Sequence, residues 1–226
     1  VLDADLLGFT GYFPMPIRHG LTMGELARLF NAENRVGASL TVVPMRGWRR
    51  EQWFDASGRA WTNPSPNMRT LQAAMLYPGL GAFERANVSV GRGTDTPFEQ
   101  IGAPWIDGVD LARALNARAL PGVSFYPVSF VPASSQYVGE LCRGVFIVVT
   151  DRSALRPVRV GLEIAAALRR LYPSNVDLRD SAGLLGSRAG LRDLLAGVDA
   201  ETISAGWLAD EARWRLRRAP YLIYRE

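Results

Sequence analysis

The sequence predicts an α/β or α+β fold, a mixed sheet packed by helices with a helix-rich C-terminal tail. Three observations carry that prediction. Short β-rich runs at 38–45, 123–131 and 144–150 are separated by segments with helical period. Capping signals sit ahead of those helical segments, and after Asp151 almost every periodic stretch is helical. The chain has 226 residues, 48% of them hydrophobic, which is enough to bury a substantial core in one large domain or two small ones.

In chain order, Thr22-Met23-Gly24-Glu25 reads as a capping box and predicts a helix over 23–31, with His19 in the loop before it. Residues 38–45 read as a buried strand. Ser65-Pro66 reads as an N-cap with a first-turn proline and predicts a helix reaching Met75. Residues 87–90 fit a short strand, and 110–117 a helix. The runs 123–131 and 144–150 are the two strongest strands, with Cys142 beside the second. Residues 157–171 place Val160, Leu162, Ile164, Ala165, Leu168 and Leu171 on one helical face. Helices at 188–195 and 201–217 follow, and Tyr221-Leu222-Ile223-Tyr224 is able to close a sheet edge. Residues 1–150 form the motif-bearing part and 151–226 the mainly helical part, with no linker between them.

Composition excludes several functions. All 26 basic residues are arginine, so neither a Walker phosphate loop nor a pyridoxal Schiff base has its lysine. A single cysteine, Cys142, and a single histidine, His19, exclude an intrachain disulfide and a Cys/His zinc site. Cys142 reads as a buried, inert thiol. No metal or cofactor is expected. The net charge of +4 is spread among 22 carboxylates, which argues against nucleic acid as a partner. Arg213, Arg215, Arg217 and Arg218 suit a solvated helix end. No apolar run approaches the roughly 18 residues of a membrane-spanning helix. The start Val1-Leu2-Asp3 carries no basic-then-apolar leader, and is expected of a processed chain or a fragment.

Polar, loop-like motifs crowd the first half: "PIRHG", "MRGWRR", "PSPN" and "NVSVGRGTDTPF". Amides, hydroxyls, arginine and indoles together suit carbohydrate ligands, since arginine and amides match carboxylates and hydroxyls. The tryptophans Trp48, Trp53, Trp61 and Trp105 fit either stacking platforms or core residues. Gly91-Arg92-Gly93 is able to form an anion nest, or an ordinary turn. His19 is a candidate proton donor or a structural residue. Glu84 is a candidate acid or an exposed helix-end carboxylate.

Taken together, "FTGYFPMPIRHGLTMGELARLFN", "NPSPNMRTLQAAMLYPG", "FERANVSVGRGTDTPFEQIGAPW" and the terminal "YLIY" resemble the YbbC/NamZ family of exo-β-N-acetylmuramidases. The likeness is specific as far as Trp105 and thins to helix order after Asp151. It implies a glycoside hydrolase that removes terminal β-linked N-acetylmuramic acid from peptidoglycan fragments. It also implies that this chain is the C-terminal domain, with the Rossmann-like N-terminal half absent. P-E-H-G-type and Q-D-x-G-x-R-x-Y-T-Y-type segments of that half do not occur here, so the main catalytic acid is expected outside the chain. Within it, Glu84 and His19 are the catalytic candidates. Arg92, Asn87, Ser89, Gly91, Gly93, Thr94 and Asn67 are the candidate substrate-binding residues. The implied partners are muramic acid saccharides and the family's own N-terminal domain, and the implied setting is secreted or in the cell envelope. The family reads close to F-E-G-T-N-x-S-E-G-R-G-T; here Arg85-Ala86 and Val90 depart from it, so position 90 supplies no carboxylate. A non-catalytic wall-sugar-binding module and a polyanion-binding protein are the competing readings.

Overall fold

The computed structural model describes residues 1–9 and 11–224. Its elements run α1 (Met23–Glu33), α2 (Leu71–Leu80), β1 (Gln100–Ala103), α3 (Gly108–Asn116), β2 (Val123–Phe130), β3 (Cys142–Val149), α4 (Pro157–Leu171), α5 (Ala182–Leu185), α6 (Arg188–Leu195), α7 (Ala200–Ala205) and α8 (Leu208–Arg218). The sheet is small and antiparallel, in the order β1-β3-β2. Helix α3 packs on β2 and β3, and α4 packs in turn on α2, α3, α6 and α7. Helices therefore layer on a sheet, as the β-rich runs and capping signals predict.

Local chemistry sets most boundaries. Thr22 and Glu25 form the predicted capping box of α1. Asp107 caps α3 through the N–H groups of Val109 and Asp110. Pro157 opens α4, whose bounds match the amphipathic period. In β2 the proline at 127 is tolerated because this strand is a sheet edge. Cys142 is fully buried, and burial pushes its thiol up to about 11.

Five expectations are corrected. Residues 38–45 form no strand, and all but Val42 are exposed. Pro66 lies in a turn closed by Met68 N–H on Ser65 O; the helix begins only at Leu71, where Thr70 accepts the Ala73 N–H. Residues 87–90 contribute one bridge, Ser89 to Gly102, because the chain turns away at Gly91. The helix expected over 201–217 breaks at Gly206-Trp207 into α7 and α8. Tyr221-Leu222-Ile223-Tyr224 makes no sheet edge among the described residues. A 3-10 turn covers Ala219–Tyr221, and the Ile223 and Tyr224 N–H groups then donate to the Glu25 carboxylate at 2.8 and 3.4 Å. A side chain has taken the bonds a neighbouring strand would have supplied.

The main core runs from Met68 to Ile203 and crosses residue 150 without a break. A second, smaller cluster joins Phe13 and Leu29 to Trp214 of α8. The N-terminal segment is thus held mainly by the C-terminal one.

Candidate functional site

The loop 87–99 hangs between buried apolar anchors. Val88, Val90 and Phe98 are in the core, and Ser89 exchanges two backbone hydrogen bonds with Gly102 of β1. Between these anchors the chain must reverse tightly. Gly91 and Gly93 supply that reversal with φ of 78° and 82°. Gly93 also lies so close to Ser134 that a Cβ there would stand 2.5 Å from its backbone.

The loop satisfies much of its own polarity. Ser89 Oγ accepts the Gly91 N–H, and Thr94 Oγ1 donates to Gly91 O while accepting from Gln100 Nε2. Asn87 faces the other way, donating to Asn175 O and accepting the Asp177 N–H. These side chains shape the loop and tie it to its neighbours. Asn67 precedes Arg69, which pairs with Asp95 and so brings the 64–70 segment beside the loop.

What the loop presents outward is Arg92. Its Nε donates to Glu84 Oε1 at 2.5 Å, and its Nη2 meets the same oxygen. The guanidinium lies 5.2 Å over the Phe98 ring, which meets Tyr77 edge-on at 4.8 Å. Burial raises the Tyr77 phenol above its ordinary range, and the Glu84 charge adds to this while Arg92 opposes it. Tyr77 and Glu84 are seven residues apart along α2 and the 3-10 turn that continues it, so both fall on one face. That seven-residue spacing is the signal in the sequence that sets Tyr77 beside Glu84.

Glu84 and Arg92 are both partly exposed, at 20% and 34% of their side chains. The bonds between them fall on Oε1, so Glu84 Oε2 and Arg92 Nη1 have no other partner among the described residues. An acceptor and a charged donor stand side by side, the combination that suits a hydroxyl or an amide of a sugar. A two-bond grip on a ligand carboxylate would require Arg92 to release Glu84.

His19 belongs to a different neighbourhood. Its carbonyl accepts from Trp214 Nε1, and its Nδ1 accepts the Leu21 N–H. Burial lowers its pKa from 6.5, helped by the Arg218 charge. No described contact joins it to Arg92 or Glu84. Two hollows are also present, and neither is lined by Glu84, Arg92 or His19. One is a cavity of about 20 Å³ between α2 and α4; the other, about 350 Å³, lies between α3 and β2. The Glu84–Arg92 pair lies instead on a partly exposed surface. No helix among the described residues is long and apolar enough to cross a membrane.

Two family models match this chain. Residues 75–224 match the C-terminal part of exo-beta-N-acetylmuramidase NamZ, and residues 1–72 match its N-terminal part. The second match overturns the expectation that the N-terminal part is absent: residues 1–72 belong to it, and the junction falls within the first turn of α2. Peptidoglycan beta-N-acetylmuramidase NamZ from Bacillus subtilis (strain 168) is 38% identical over 227 residues, covering 99% of this chain and 55% of the relative. The chain therefore spans about half the length of that relative. Two crystal structures of DUF1343 family proteins from Bacteroides fragilis NCTC 9343 share the fold. Their TM-scores are 0.90 and 0.77, each with 27% identity, 100% coverage of this chain and 62% of the other. With matches on both sides of residue 72 and a shared fold throughout, this chain belongs to the NamZ exo-β-N-acetylmuramidase family.

Proposed function

We propose that this chain forms the substrate-facing part of a glycoside hydrolase that releases terminal β-linked N-acetylmuramic acid from peptidoglycan fragments. The observation that carries this reading is the partly exposed Glu84–Arg92 pair in a chain 38% identical to a peptidoglycan β-N-acetylmuramidase. N-acetylmuramic acid offers hydroxyls, an acetamido group and a lactyl carboxylate. In this reading Arg92 Nη1 donates to the carboxylate or the amide oxygen, and Glu84 Oε2 accepts from a hydroxyl or amide N–H. Phe98, met edge-on by Tyr77, holds the guanidinium from below. Gly91, Gly93, Ser89 and Thr94 set the loop's shape, Asn87 fastens its start, and Asn67 lines the adjoining segment.

Glycosidic cleavage ordinarily needs two carboxylates flanking the bond, although N-acetyl sugars permit substrate assistance. Glu84 is one candidate. The other is expected on family segments that this chain does not contain, which would enclose the Glu84–Arg92 pair in a cleft. His19 serves as the alternative polar group should that closure bring it to the sugar. A secreted or envelope location follows from such a substrate. The chain alone is expected to turn over a chromogenic N-acetylmuraminide slowly or not at all.

The test is binding. Titration of N-acetylmuramic acid into this chain should give an affinity that Arg92→Lys weakens by about 1.5–3 kcal/mol, the scale of hydrogen bonds to a charged group. Lysine keeps the charge but loses the planar fork. An unchanged affinity, or one lost only with a collapse in melting temperature, would return Arg92 to a structural role.

A further inference from the structure

Residues 38–45, "ASLTVVPM", have the composition of a strand covered on both faces, with Leu40, Val42, Val43 and Met45 in near-continuous succession. The structure covers them scarcely at all. Val42 rests against Gly24 of α1, but Val43 is 86% exposed, Met45 48% and Leu40 41%, with Met23 of α1 nearby in sequence to Gly24 and itself 81% exposed. No backbone–backbone hydrogen bond reaches residues 39–44 among the described residues.

The segment is nevertheless fastened at both ends. The Asn31 side chain bonds both the N–H and the C=O of Ala38 at 2.9 Å. The Met45 N–H donates to the Tyr224 hydroxyl at 2.8 Å. Side chains thus hold the ends while the middle keeps its donors and acceptors unpaired. An apolar run with unpaired backbone is a template for strand addition.

The surroundings say what fills it. Residues 1–72 match the N-terminal family model, yet their own small cluster buries only Phe13 and Leu29 and borrows Trp214 from α8. The chain covers 55% of the Bacillus subtilis relative and 62% of each solved structure, so a large share of the family polypeptide lies outside it. We infer that residues 38–45 are the docking strand for that outside polypeptide, which adds strands to their free backbone and covers Val43 and Met45. This rests on the reading that family segments beyond this chain complete the enzyme.

Amide exchange tests the docking without reference to turnover, so it stands or falls separately from the substrate assignment. The probe is one polypeptide joining this chain to the part of the Bacillus subtilis relative outside the match, in the relative's own order. The amides of 39–43 should exchange fast in the chain alone and at least about tenfold more slowly in the joined protein. Val43→Lys should restore fast exchange and lower melting in the joined protein, yet leave the chain alone unchanged; Val43→Ile should keep the protection. Equal, fast exchange in both forms overturns the proposal. So does a concentration-dependent dimer of the chain alone that Val43→Lys abolishes, which would give the face to a second copy. Should the joined protein fail to melt cooperatively, the same comparison on the Bacillus subtilis relative, whole against trimmed to its matched part, decides in its place.

Discussion

Glu25 shows how one side chain serves two levels of structure. Its Oε2 closes the capping box by accepting the Thr22 N–H at 2.7 Å. Its Oε1 accepts from Arg50 Nη2 at 2.5 Å and from the Ile223 and Tyr224 N–H groups. The side chain is fully buried. Burial alone would push its pKa up; the Thr22, Ile223 and Tyr224 N–H groups and the Arg50 guanidinium more than offset it and hold it at about 2. A carboxylate depressed in the folded state stabilises above its ordinary value of 4.5, and that contribution is lost as pH falls toward 2. Glu25→Gln leaves Arg50 without its charge partner and should cost about 3 kcal/mol at neutral pH. Thermal melts should show the gap to wild type closing as pH falls below 4.5. His19 works from the opposite charge type. Its neutral form is favoured by burial and by Arg218, so the unfolded chain takes up the proton first. Stability should decline as pH falls below 6.5, and His19→Gln should flatten that slope.

Among elements, the crossing of α2 and α4 is the tightest helix contact. A Cβ on Gly79 would stand 2.0 Å from Pro157 O, and one on Gly161 2.5 Å from Gly79 O. Alanine is the better helix former by about 1 kcal/mol, which argues for a gain on substitution. Here the added atom meets backbone that cannot swing aside, so the clash wins. Gly161→Ala should destabilise by about 1–3 kcal/mol in denaturant melts. Gly183→Ala, with nothing within 4 Å of the new atom, should be neutral or slightly stabilising. A stable Gly161→Ala variant would mean the helices sit farther apart. The periods of α4 and α6 were legible because their apolar residues repeat over a full face. The start of α2 was not: Ser65-Pro66 has the right local chemistry, but the Trp61 indole donates to Met68 O and Arg69 reaches Asp95, and the turn they hold delays the helix until Thr70.

On the scale of the molecule, burial is uneven. The core from Met68 to Ile203 includes the sheet and most helices, whereas residues 34–60 are largely exposed. Local opening should therefore begin there. Limited trypsin should cut first after the exposed Arg46, Arg49 and Arg59, leaving a resistant fragment that retains β1–β3 and α4. In that fragment Cys142 should stay unreactive toward a thiol reagent until denaturant is added. First cuts within 100–171 would contradict this division.

The sequence by itself determined the helix caps, the two long strands, the amphipathic face of α4 and the family likeness, because each is written in residues close together along the chain. It also marked Glu84 and Arg92, since charge between glycines and beside a helix end is visible locally. Only the tertiary structure decided that these two bond each other, and that Ser89, Thr94 and Asn87 spend their hydrogen bonds on the protein. It also placed His19 beside Trp214, 195 positions along the chain. The runs at 38–45 and 221–224 make the same point. Their composition is that of strands, but a strand is a relation between two segments, and its partner must be within reach. For 221–224 the Glu25 carboxylate reached the backbone first; for 38–45 no described segment supplies the second strand.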